Sequence, residues 1–123
     1  MNMTAIFDSG AWIEYFSASP KGERVRELIE GGEAKYTPAV CLLEIKAKYL
    51  REGRDPSERL DFICGASSVV SLSKELCLQA GDIRHKHGLH TVDAMIYSVA
   101  MALKGTLYTS DRDFQRLHDV VVL

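Results

Sequence analysis

Between Leu89 and Phe114 the chain reads LHTVDAMIYSVAMALKGTLYTSDRDF, and this run restricts the possible folds more than any other. From Val92 to Leu103 almost every residue is apolar, so a helix there must be largely buried. Yet Asp93 stands in its first turn, an acid at the edge of a core. Gly105 reads as the helix stop and Thr106–Thr109 as a short strand, with Asp111 and Asp113 where that strand ends. Helix, strand and next helix therefore bring their acids to one end.

The rest of the chain alternates in the same way. Thr4–Phe7 is a β-prone run stopped by Asp8, Ser9 and Gly10, after which Ala11–Phe16 place Trp12 and Phe16 one helical turn apart. Ser17–Gly22 reads as a loop, Glu23–Ile29 as an amphipathic helix closed by Gly31 and Gly32, and Lys35–Thr37 as a second strand. Pro38 suits the first turn of a helix reaching about Glu52, with Val40, Leu43, Ala47 and Leu50 as its apolar stripe. Glu58–Ile63 reads as a helix, Ser68–Leu72 as a third strand, Ser73 to about His87 as a helix ended by Gly88, and Asp119–Leu123 as a last strand. Such alternation predicts a three-layer α/β/α fold, with a central parallel sheet of four to five strands and right-handed crossovers. With 123 residues and 46% hydrophobic content, one domain over residues 1–123 buries a sufficient core.

Composition narrows the class. The longest apolar tract, Ala94–Leu103, is too short for a membrane span and no signal peptide is evident, so the expectation is a soluble cytoplasmic protein without a membrane partner. Cys41, Cys64 and Cys77 form no CxxC pair and fall in helical patterns, which predicts buried free thiols. A net charge of −2 argues against a broadly basic nucleic-acid surface, although cations bound by acids would reverse the local sign.

Each acid also has a plain structural reading. Asp93 follows Thr91, a good N-cap, and an acid in a first turn suits the helix dipole. Asp8 and Asp111 fit as N-caps, and Glu44 lies one turn before Lys48, as in a surface ion pair. The sharper reading is collective. Asp8 ends the first strand, and ligands of open parallel sheets bind beyond the carboxyl ends of strands. Glu44, in the second turn of a helix that follows a strand, falls on the same side. His85, His87 and His90 crowd one helix end with Arg84 and Lys86; their spacing is not that of a helical metal site and reads as a solvated basic end, with RNA phosphate as the functional alternative.

Taken together, IFDSGAW, TPAVCLLEI, HTVDAMIYSVAMALKGTLYTSDRDF and the terminal strand resemble the PIN-domain nucleases, particularly the VapC-type toxins of toxin–antitoxin pairs. The resemblance covers nearly the whole chain. It implies that Asp8, Glu44, Asp93 and Asp111 are the metal-site carboxylates, with Asp113 a further member from the TxDxDF tract, and that Ser9 and Thr109 occupy hydroxyl positions of the family. Gly10 departs from the pattern, because many relatives carry a second small hydroxyl there. By the same resemblance the function is endonucleolytic cleavage of RNA, with homodimerisation and inhibition by a small antitoxin. The expected cofactor is one or two Mg²⁺ or Mn²⁺ ions, held chiefly by Asp8, Asp93 and Asp111, with Glu44 binding through water or orienting the attacking water. The basic groove is expected from residues such as Lys48, Arg51, Arg84, Lys86 or Arg112.

Rival classes fit less well. A receiver-type signalling module would pair acids at the end of the first strand and place an Asp at the end of the third, but Phe7 precedes a single acid and Ser71–Ser73 hold none. A phosphatase with an aspartyl nucleophile wants an Asp two residues beyond Asp8, where Gly10 stands. A PIN fold serving only as an RNA- or protein-binding module is the alternative that sequence leaves open.

Overall fold

A computed structural model describes residues 3–123. Five parallel strands form one sheet in the order β3-β2-β1-β4-β5: β1 (Thr4–Phe7), β2 (Ala34–Pro38), β3 (Ser68–Val70), β4 (Thr106–Thr109) and β5 (Val120–Val122). Helices α1 (Ser9–Phe16), α2 (Pro20–Glu30), α3 (Ala39–Arg51), α4 (Ser57–Ala66), α5 (Lys74–His87) and α6 (Thr91–Ala102) cover it, and a 3₁₀ turn (Arg112–Phe114) follows β4. The three-layer parallel architecture agrees with the sequence expectation.

Alternation along the strands splits the core into two halves. Ile6 and Leu107 face one side, where they pack with Ile96, Ala100 and Phe114. Ala5 and Phe7 face the other, against Trp12, Val25, Ile45 and Ile63. Trp12 is fully buried, and its indole N–H donates to Thr37 Oγ1 at 3.0 Å, so the large ring enters the core without a stranded donor.

The structure corrects several local expectations. On α3 the buried stripe is Cys41, Ile45 and Tyr49, whereas Leu43 and Leu50 are 66% and 58% exposed. Both stripes have helical spacing; the aromatic core around Phe7 and Trp12 takes the one carrying Ile45 and Tyr49. The Ser17–Gly22 loop is shorter than expected, because Ser19 caps α2 by accepting from Gly22 N and Pro20 occupies the first turn. Gly22 is needed for close approach, since a Cβ there would overlap the backbone of Glu14 on α1.

Gly105 does not end α6. Lys104 takes the left-handed conformation (φ 53), while Gly105 lies where a Cβ would overlap Ile6 and Thr4 of β1. The N-cap of α6 is His90 rather than Thr91, with no side-chain cap bond. Strand β3 ends at Val70, short of Leu72. Of the three cysteines only Cys41 is buried; Cys64 and Cys77 lie on outward faces of α4 and α5. Among the described residues no helix is long and apolar enough to cross a membrane.

Candidate metal centre

Adjacent strands β2, β1 and β4 run in parallel, so the segments leaving their carboxyl ends share one edge of the sheet. Asp8 leaves β1 there and caps α1, with Oδ1 accepting from Ala11 N at 2.8 Å. Its other oxygen accepts a hydrogen bond from Thr109 at the end of β4. Thr109 Oγ1 also accepts from Asp111 N at 2.9 Å, so one hydroxyl ties the first acid to the loop carrying the later ones. Asp111 Oδ1 in turn accepts from Asp113 N at 2.9 Å, capping the 3₁₀ turn and fixing where Asp113 begins.

Carboxylate oxygens of Asp93, Asp111 and Asp113 all lie within 4.8 Å of one another. Asp93 reaches this point from the first turn of α6, while the other two come from the segment after β4. Glu44, expected as a possible partner of Lys48, is bound otherwise. Its Oε1 accepts from Ser9 Oγ at 2.8 Å, and Lys48 pairs with Glu52 at 2.7 Å. Ser9 thereby links the start of α1 to α3.

The electrostatics follow from burial and crowding. Asp8 is pushed up to about 6, first by burial and then by the nearby charges of Glu44 and Asp111, against the hydrogen bonds from Thr109 and Ala11. Asp93 is also raised to about 6, first by burial and then by Asp111 and Glu44, with Asp113 adding and His90 opposing. Burial lifts the Cys41 thiol well above its ordinary range, helped by the charges of Asp8 and Glu44, so it stays protonated beneath the acids. Oxygen donors that repel one another until a cation joins them suit a hard divalent ion. Asp93, Asp111 and Asp113 have the spacing to share one.

A family model described as the PIN domain matches residues 5–120. The chain belongs to the PIN-domain family. Solved structures carry the same fold. One, a toxin–antitoxin complex from Klebsiella pneumoniae, has TM-score 0.81 at 18% identity, with 97% of each chain covered. Another, VapC20 of Mycobacterium tuberculosis, described as a toxin that cleaves the sarcin–ricin loop, has TM-score 0.78 at 17% identity over 95% of this chain and 97% of that one. VapBC2 from Rickettsia felis, bound to a promoter DNA fragment, has TM-score 0.75 at 15% identity over 98% and 97%. No curated protein sequence matches.

In this PIN domain the five acids singled out from the sequence fall into three settings. Asp93, Asp111 and Asp113 meet directly; Asp8 lies deeper, with both oxygens engaged; Glu44 is held from the side by Ser9. Asp113 is more central than its position in the sequence suggests, because the 3₁₀ turn carries it back towards Asp93. The departure at Gly10 has a spatial answer. A Cβ there would overlap Ser110 Oγ, so a hydroxyl from the β4 side fills that volume.

Proposed function

We propose that this PIN domain, treated as one unit over the whole chain, is a metal-dependent endoribonuclease and the toxin of a type II toxin–antitoxin pair. The observation that carries the reading is the approach of Asp93, Asp111 and Asp113 to within 4.8 Å, with two neighbouring acids behind them, in a PIN fold. Phosphodiester hydrolysis needs a nucleophile formed near neutral pH and relief of charge on the leaving oxygen, and Mg²⁺ or Mn²⁺ bound by oxygen ligands supplies both.

The protein's own part is positioning. Asp93, Asp111 and Asp113 would hold the ion. Asp8 fixes the Thr109–Asp111 segment from below, so that the loop enters with a single orientation. Ser9 anchors one oxygen of Glu44, which leaves the other to orient the attacking water. Two of the similar structures are described as toxin–antitoxin or VapBC assemblies, which supports a small inhibitory protein partner here. Homodimerisation is part of the same proposal, and exposed Leu43 and Leu50 on α3 offer apolar surface for a protein contact.

The test is incubation of the purified chain with single-stranded and structured RNA in Mn²⁺, beside an EDTA control and Asp93→Asn. Cleavage that needs the metal and Asp93 is expected. RNA binding without cleavage in Mn²⁺ would replace the nuclease by a binding module.

A further inference from the structure

Resting on the nuclease reading above, we propose that His90, Arg112 and Arg116 form a phosphate subsite that holds the RNA strand beside the bond to be cut. These residues line a cleft of about 380 Å³ between the α5–α6 turn and the 3₁₀ turn, and Asp113 lines it too. The cleft thus joins the acid cluster directly. With a net charge of −2 the chain has no general excess of cations, so a wall carrying two arginines and a histidine is a local feature.

One of these cations is held in place by the fold. Arg116 Nη2 donates to the His87 carbonyl at 2.7 Å, which anchors the guanidinium at the end of α5 and leaves its other N–H groups for a ligand. Arg112 is exposed, and its side chain makes no hydrogen bond or ion pair among the described residues. His90 caps α6 without a side-chain cap bond and acts electrostatically on Asp93. A second cleft of about 580 Å³ shares His90 and continues past Arg84 and His85. Arg84 is itself held, donating to the Leu89 carbonyl and to Thr91 Oγ1, both at 3.3 Å.

A polyanion fits this change of sign along one path: one phosphate would lie at the acids, where a bound cation would offset their charge, and its neighbours would lie on the anchored Arg116 and the unpaired Arg112. An acidic peptide would match the arginines too, so it is tested as the competing occupant below. Among the basic residues expected from the sequence, Arg112 and Arg84 line these clefts, whereas Lys48 pairs with Glu52 on α3.

The experiment compares wild type with Arg112→Ala, Arg116→Ala, their double variant and Arg116→Lys on a short single-stranded RNA in Mn²⁺. Arg24→Ala, on α2 at the opposite face of the sheet, controls for simple loss of charge. For the double variant KM should rise about tenfold with kcat within about twofold, and the salt dependence of binding should flatten by roughly 0.7 per arginine removed. Arg116→Lys should restore much of that slope. The Mn²⁺-induced rise in Tm should stay unchanged, since the ligand acids are intact. If Arg116→Ala loosens the end of α5 and lowers Tm, Arg112→Ala decides, because it breaks no bond. Unchanged KM and salt slope in variants of a wild type that cuts RNA would overturn the subsite and leave the nuclease reading standing. Lost affinity for a poly-glutamate peptide with RNA binding intact would make the cleft a protein dock instead. A wild type that neither binds nor cuts RNA would remove the nuclease reading, and the subsite with it.

Discussion

At the floor of the acid site Asp8 is 4% exposed and both of its oxygens accept hydrogen bonds, whereas at the mouth Asp93 is half-buried and accepts none among the described residues. Both carboxyls are nevertheless raised to about 6, and burial leads in each case. Asp8 is lifted despite two bonds that favour its charged form; Asp93 has no such support and feels three acids. The difference separates two roles. Each oxygen of the floor carboxylate is tied to the fold by a hydrogen bond, while the carboxylate at the mouth has its oxygens available for an ion.

The largest effect that bears on this contrast is loss of activity. Asp93→Asn should lower the rate of RNA cleavage by more than about 100-fold while leaving the metal-free protein as stable or slightly more stable, because a crowded charge is gone. Asp8→Asn should also abolish cleavage without loss of fold. Calorimetry beside a cleavage assay checks both, and unfolding of Asp93→Asn would break the distinction.

Next comes pH. A carboxyl whose native value lies above its unfolded one holds its proton more tightly when folded. Its contribution is therefore full below the unfolded value of 3.8 and is lost as the pH rises through about 6. For Asp8 this amounts to about 3 kcal/mol, so the metal-free protein should lose stability across that window, and Asp8→Asn should flatten the loss. Denaturant melts at several pH values in EDTA measure it; a metal-free protein that gains stability over the same range would refute the account.

Divalent ion should act in the opposite direction. At 100 times its dissociation constant, Mn²⁺ would stabilise the native state by about 2.7 kcal/mol, read as a rise in Tm of a few degrees. Asp93→Asn should remove most of that rise. Smaller still, Asp8→Ala should be about 1 kcal/mol less stable than Asp8→Asn because the cap on α1 is lost, whereas Asp93→Ala and Asp93→Asn should differ little. Equal behaviour of the two pairs would erase the contrast between floor and mouth.

What could be foreseen from the sequence tracks what local chemistry decides. β1, α6 and β4 were foreseeable because apolar runs, turn residues and acids coincide at their ends. The burial of α3 was not, since Leu43 and Leu50 are as periodic as Ile45 and Tyr49, and only packing against Phe7 and Trp12 chooses between them. Asp8 and Asp111 are N-caps, as a purely local reading expects, and the same caps orient them at the site. Sequence could propose that the acids lie at one end of the sheet. That Thr109 serves as the joint between Asp8 and Asp111 depends on the pairing of β1 with β4, which no local pattern encodes. The anchoring of Arg116 on the His87 carbonyl is equally long-range.

The Thr109–Asp8 bond spans 101 positions of the chain, and that distance has a consequence for how ion affinity and folding are related. In the proposed metal site a fragment lacking β1 would lose the Asp8 support of the Thr109–Asp111 segment, so chelation strength would report on whether remote parts of the polypeptide have met. A destabilised variant would then release its ion in step with the parting of β1 and β4, and titration with Mn²⁺ could follow global integrity where spectroscopic probes of helix content change only slightly.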